Sequence, residues 1–403
     1  MSGANLTANP AAEGAITRAR GFSACGFTAG VKESGLPDLA LLSSDRPAAA
    51  AAVFTQNQSL AAPVRVSQAH MSSAVLRGAV VNSGNANCAT GTQGVADARE
   101  MTQLAATRIG CEADEIFVNS TGVIGHYLPM DLLRASIPQL EPRSDGGGDF
   151  ARAIMTTDTF VKQAVSEFEV GGVTYTVGGC AKGAGMIHPD MATMLAFFTT
   201  DAPIAASDLD ACFRHAIDRS INMVTVDGDT STNDSAVILA NGAAGGEPLS
   251  GSGLDAFAEA LSQASIPLAQ MIARDGEGAT KRIAMTVSGA KSWEDARDVA
   301  RTVVKSPLLK AALSKYDPNW GRVLMAAGYA GVPYELERVR VWIADLCLFD
   351  GTATGVPEAE ASAATQGEEV FLRMDLGQGE AEATAWGCDL TEEYVRFNAD
   401  YVT

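Results

Sequence analysis

The sequence predicts an α+β fold. Strand and helix signals interleave without strict strand–helix–strand alternation, 47% of the 403 residues are apolar, and no fixed-period repeat is present. The length allows two or three domain-sized units.

Residues 1–20 read as a loose arm. Short apolar runs between turn residues follow, with strands expected at Ala61–Ser67 and Arg77–Asn82. Ala48–Val53 fits either helix or strand. A helix is expected over Val95–Ile109, with Met101, Leu104, Ala105 and Ile109 on one face. Ile116–Asn119 reads as a strand entering Ser120-Thr121-Gly122. Gly171-Gly172 marks a hairpin between alternating segments.

Ser207 is the expected N-cap of a helix carrying Leu209, Cys212, Phe213, Ala216 and Ile217. Leu254, Phe257, Ala258 and Leu261 share a second helix face, which Pro267 should end or kink. Ala296, Val299, Ala300 and Val303 mark a third. Strands are expected at Arg282–Ser288, Val339–Leu346, Val370–Leu376 and Ala383–Cys388. Residues 352–367 fit a loop or a helix.

The net charge of -19 argues against a nucleic-acid partner. Seven scattered cysteines without a Cys-x-x-Cys pair argue against a disulfide scaffold or a structural zinc site. Cys212 and His215 alone do not make a metal centre. Met1–Arg20 has no apolar core, and no apolar run is long enough to span a bilayer. A cytoplasmic setting is the expectation.

Familiar motifs fail here. Gly179–Gly183 is not a P-loop, Gly183-Ala184-Gly185 lacks a third glycine, and there is no Gly-x-Ser-x-Gly elbow. Asp227, Asp229 and Ser231 begin like a calcium loop, but Thr232 and Ile238 stand where glycine and glutamate are needed. A polar turn bonding nearby amides is the reading for that cluster.

The most unusual stretch is Lys182-Gly183-Ala184-Gly185-Met186-Ile187-His188-Pro189-Asp190-Met191-Ala192-Thr193-Met194-Leu195. By composition it is a glycine-rich loop feeding a buried run. It resembles the self-cleavage signature of the glutamate N-acetyltransferase family, the ornithine acetyltransferases. Further segments are similar to that family in the same order. They are Asn82–Asn87, Asn119–Gly125, Met155–Thr159, Asp227–Asp234, Asp275–Lys281, Asp317–Arg322 and the tail from Cys388 to Thr403. His188, Asp190 and the order Cys88-Ala89 depart from the commoner pattern, and 333–380 matches weakly.

The resemblance implies a layered helix–sheet–sheet–helix architecture like that of self-processing aminopeptidases. It implies self-cleavage between Ala192 and Thr193 into chains 1–192 and 193–403, which assemble as α2β2 or larger. Thr193 becomes the nucleophile. Its freed α-amine, with a reference pKa of about 7.7–8.0, serves as the base. Thr121 and Gly122 are implied as the oxyanion hole. Thr156, Lys182, Thr193, Glu277, Asn398 and Thr403 are implied as substrate-binding residues. A lysine suits a carboxylate and a glutamate suits an ammonium.

The expected reaction moves acetyl from N-acetylornithine to glutamate by a ping-pong route. No metal and no cofactor are expected, and acetyl-CoA is an alternative donor. A hydrolase with the same nucleophile, or an uncut amino-acid-binding protein, are the competing readings.

Overall fold

The computed structural model describes residues 12–188 and 194–400. Ala192, Thr193 and Thr403 lie outside the described residues.

The first sheet is built from β1 (Phe22–Phe27), β2 (Leu39–Phe54), β3 (Val75–Asn85), β4 (Ile116–Val123), β5 (Lys162–Val170), β6 (Val173–Lys182), β7 (Leu195–Thr200) and, beyond the short β8 (Val224–Thr225), β9 (Ser235–Ala240). Its order is β4-β3-β2-β9-β7-β6-β5, with β1 on β2. Four strand steps separate β4 from β7, about 19 Å in a flat sheet. Yet the rings of Phe117 on β4 and Phe197 on β7 are 6.5 Å apart. The sheet therefore folds onto itself.

The fold lies in β2, where the register with β3 shifts between Ser43 and Ala48, around Pro47. Side-chain alternation then fills three layers. Ala40, Leu42, Ala50 and Ala52 face the core between the two halves, with Phe117 and Phe197. Leu39 and Leu41 face outward on one side. Ala51 and Val53 face outward on the other.

Helices cover both outer faces. The first is packed by α1 (Ala62–His70), α2 (Gly91–Ile109) and α3 (Met130–Ser136). A short α4 (Gly147–Ala153) closes the inner core with Phe150. The second face carries α5 (Ala206–Asp218) and α6 (Ser252–Arg274). The α+β class and its helix–sheet–sheet–helix layering are thus observed.

A second, six-stranded sheet is built on β10 (Arg282–Ala290), β11 (Arg340–Ile343), β12 (Leu346–Asp350), β13 (Glu369–Asp375) and β14 (Ala381–Cys388). The helices α7 (Trp293–Lys305), α8 (Pro307–Ser314), α9 (Trp320–Gly328), α10 (Glu358–Ala363) and α11 (Glu392–Asp400) accompany it. Its last strand, β14, pairs with β8, which leads directly to Val226 and Asp227.

Several local expectations are corrected. Ala61–Ser67 is not a strand but most of α1. Pro63 suits a first helical turn, and Ser67 Oγ bonds both the carbonyl and the amide of Val118 on the edge strand β4. Residues 12–20 are no loose arm: Ile16 is buried in the sandwich core, and Thr199 donates to its carbonyl. Helix α5 starts after Ala205, so Ser207 lies inside its first turn. Helix α6 runs through Pro267, because Leu268, Ala269 and Ile272 beyond it are buried in the core. The single strand expected over Val339–Leu346 is a hairpin, turning at Ala344 with φ 50°.

Candidate active site

Strand β7 begins at Leu195, in the middle of the folded sheet. Leu195 pairs with Lys182, the last residue of β6, on one side and with Ser235, the first of β9, on the other. A cleft of about 420 Å³ opens at this end of β7. It is lined by Thr121, Gly122, Thr156, Lys182, Glu277 and Asn398, together with Met194. Six of the residues singled out from the sequence thus share one cleft with the residue that follows Thr193.

Thr121 and Gly122 lie among the last residues of β4, which runs parallel to β3 with Gly84 opposite Gly122. Gly122 has φ 129°, and a Cβ there would collide with the Gly84 carbonyl carbon. Only glycine brings these two strand ends so close. Thr121 Oγ accepts from Lys182 Nζ at 3.2 Å.

Glu277 accepts from Thr157 Oγ at 2.8 Å and from Asn398 Nδ2 at 3.0 Å. A Cβ at Gly185 would overlap its carboxylate. Asn398 reaches the cleft because α11 is docked at its start. Thr391 Oγ donates to the Gly278 carbonyl at 2.6 Å, and Gly278, with φ 69°, leaves room for the Tyr394 amide. The C-terminal helix is therefore part of the site and no frayed tail.

Beneath Lys182 lies a cluster of buried charge. Lys162 Nζ bonds Asp158 at 2.6 Å and Asp275 at 2.5 Å, all three side chains being at most 2% exposed. Asp158 also accepts the Gly183 amide at 2.7 Å and the Thr156 amide at 3.0 Å. Asp275 accepts the amide and hydroxyl of Thr159. Burial would push the Asp158 carboxyl up, but Lys162 and Lys182 hold it below the usual carboxylate range. Burial pushes the Lys182 ammonium down, opposed first by Asp158.

The acidic turn forms a clamp. Asp227 accepts the amides of Met186 at 2.6 Å and Ile187 at 2.9 Å, and burial raises its carboxyl. Thr230 Oγ donates to the His188 carbonyl at 2.9 Å. The segment approaching Ala192 is thus tied down as far as His188. The polar-turn expectation holds, and its target is the glycine-rich loop across the cleft. Asp234, at the head of β9, lines the cleft with Oδ2 buried and unpartnered among the described residues. Burial pushes its carboxyl well up.

Asp158, Lys162, Asp234 and Asp275 were not singled out by sequence reasoning. Asp158, Asp234 and Asp275 sit inside quoted motifs, which was the available signal. Lys162 carried none. Among the described residues no group of three or more histidine, cysteine or acidic side chains is arranged to hold a metal. Among the described residues, no helix is long and apolar enough to cross a membrane.

The profile of the ArgJ family matches residues 23–403. The arginine biosynthesis bifunctional protein ArgJ of Symbiobacterium thermophilum is 50% identical, over 97% of this chain and 99% of that protein. The protein of that name from Thermus thermophilus is 47% identical, over 96% of this chain and all of that protein. A crystal structure of arginine biosynthesis bifunctional protein argJ from Bacillus halodurans is 41% identical with a TM-score of 0.51. It covers 52% of this chain and 100% of the solved one.

Proposed function

The chain belongs to the ArgJ family, and we propose that it is an acetyltransferase of arginine biosynthesis, carrying acetyl from N-acetylornithine to glutamate through Thr193. The observation that carries this reading is the cleft at the head of β7. There a backbone-glycine donor, a hydroxyl, a lysine and a glutamate converge beside Met194.

Thr193 first acts on its own chain. Its hydroxyl attacks the Ala192 carbonyl carbon, the Ala192–Thr193 C–N bond breaks, and an ester forms. Water then opens the ester, leaving chains 1–192 and 193–403. The match to a solved relative that is only about half as long as this chain supports such halves.

The freed α-amine takes the proton of the Thr193 hydroxyl as that oxygen attacks the acetyl donor. The Thr121 hydroxyl and Gly122 amide stabilise the tetrahedral oxyanion, each such donor contributing about 2.7–4 kcal/mol. Ornithine leaves with the proton, and the acetyl group stays on Thr193. The amine of glutamate then attacks the ester, and the same steps run in reverse.

Thr156, Lys182, Glu277, Asn398 and Thr403 hold the amino acids, with Glu277 suited to an ammonium. The acyl ester stores the group, so no cofactor is required. Acetyl-CoA is an alternative donor for the same ester. An α2β2 assembly in the cytoplasm, with free cysteines, accompanies this reading.

The test is the mass of the denatured protein, followed by exchange between N-acetylornithine and labelled glutamate. Two chains split at Ala192–Thr193, with exchange lost in Thr193→Ala, are expected. A Thr193→Ala protein that is still cut or still transfers acetyl would sink the mechanism. Free acetate released without an acceptor would instead mark a hydrolase. Labelled acetyl-CoA in place of N-acetylornithine tests the second donor.

A further inference from the structure

The Lys182–Thr121 contact has a direction. As an ammonium, Lys182 has three protons and no acceptor, and at 3.2 Å it donates to the Thr121 oxygen. The hydroxyl keeps one proton of its own. Among the described residues no group accepts that proton. With Lys182 on one side of the oxygen, the O–H is left free to turn away from it, into the cleft that Thr121 lines. A charged donor on the oxygen also polarises the hydroxyl and strengthens the bond it gives.

The fold fixes Lys182 for this task. It is the last residue of β6, in register with Leu195, and is buried. Among the described residues no carboxylate lies within ion-pair distance of it. The negative charge that most offsets its burial is Asp158. That carboxylate is itself immobilised by Lys162 and by the amides of Thr156 and Gly183. The Gly183 amide directly follows Lys182, so Asp158 holds both the charge balance and the backbone of the lysine.

We propose that Lys182, backed by Asp158, is a positioning residue for the oxyanion donor: its ammonium occupies the acceptor side of the Thr121 hydroxyl and turns the O–H into the cleft. This rests on Thr121 being the oxyanion donor of the proposed reaction. It differs from a role in which Lys182 only grips a substrate carboxylate. A grip acts on binding, whereas an aimed donor acts on the transition state of every acyl group that reaches the nucleophile.

Two acetyl donors separate the roles: N-acetylornithine, which bears a carboxylate, and p-nitrophenyl acetate, which does not. Lys182→Met, Thr121→Val and the double variant are compared with the wild type. The expected result is a loss of kcat/KM of about 10–100-fold in Lys182→Met, similar for both donors and expressed in kcat. This is somewhat less than the loss of a whole oxyanion donor. Adding Thr121→Val to Lys182→Met should cost far less than Thr121→Val costs alone. A loss confined to N-acetylornithine and to KM would overturn the proposal.

A second measurement does not need turnover and serves also for a variant that stays uncut. The Lys182 side chain is labelled with 13C at Cε, assigned by its loss in Lys182→Arg, and titrated. Removing its oxygen partner in Thr121→Val should move the titration downward. An unchanged titration would overturn the contact. A wild type that transfers no acetyl would defeat the functional reading, while the titration still decides this one.

Discussion

The two flanks of β7 treat buried carboxylates in opposite ways. On the β6 side, Asp158 has a lysine and two amides bonded to it, and is held ionised. On the β9 side, Asp234 is buried too, yet one oxygen has no partner among the described residues and the carboxyl is pushed up. The first flank is frame: its charges are closed on one another. The second keeps one carboxylate oxygen without a partner among the described residues. A buried polar group without a partner is costly.

The sharpest break of this contrast is Lys162→Met. It leaves Asp158 and Asp275 buried without their cation and should cost about 3–5 kcal/mol in denaturant unfolding. A loss below about 1 kcal/mol would mean that the β6 flank is not held by charge.

Next come the paired changes Asp158→Asn and Asp234→Asn, with opposite pH signatures. Asp158 has a lowered folded pKa. Its stabilisation is present above the unfolded value of about 3.9 and is lost as pH falls through the folded one. Asp158→Asn should therefore be less stable than wild type at pH 7, by about 2–3 kcal/mol, with the gap closing in acid. Asp234 has a raised folded pKa, so its contribution is lost as pH rises above about 3.9. Asp234→Asn should match or exceed wild-type stability at pH 7. Melting curves from pH 3 to 8 that slope the same way for both variants would erase the distinction.

A smaller effect tests the far wall. Gly185→Ala pushes a methyl into the Glu277 carboxylate. It should raise KM for the amino acid about tenfold, roughly 1.4 kcal/mol, with little change in melting. An unchanged KM would remove Glu277 from substrate binding.

The smallest concerns His188. Burial, with Arg301 and Lys305 nearby, pushes its imidazole from 6.5 down to about 3. The unfolded chain takes up a proton below about pH 6.5 while the folded chain does not, so stability falls over that interval. His188→Asn should flatten this part of the profile only.

Much of the fold was legible. The 3.6-residue period placed α2 and α7, alternation around Gly171-Gly172 placed the β5–β6 hairpin, and mixed order indicated α+β. Misreadings fell where packing outvoted local preference: α1, whose valines read as strand, and Pro267, which α6 absorbs. At the site, the motif resemblance pointed to Thr121, Gly122, Thr156, Lys182, Glu277 and Asn398, which the cleft brings together. Lys162 stayed invisible, because a lysine in an alternating strand reads as a surface charge.

By itself the sequence determined which chemical groups are available and in which short motifs they occur. Such motifs are local: a glycine where two backbones must meet, a threonine behind a glycine-rich loop. Tertiary structure alone decided which charges pair. Lys162 and Asp275 stand 113 residues apart, and Thr157 and Glu277 stand 120 apart. Their partnership follows from the packing of α6 along β5 and β6, which brings the segment after Arg274 to the start of β5. That packing removes water from the charges, so each must find its counterpart inside the protein.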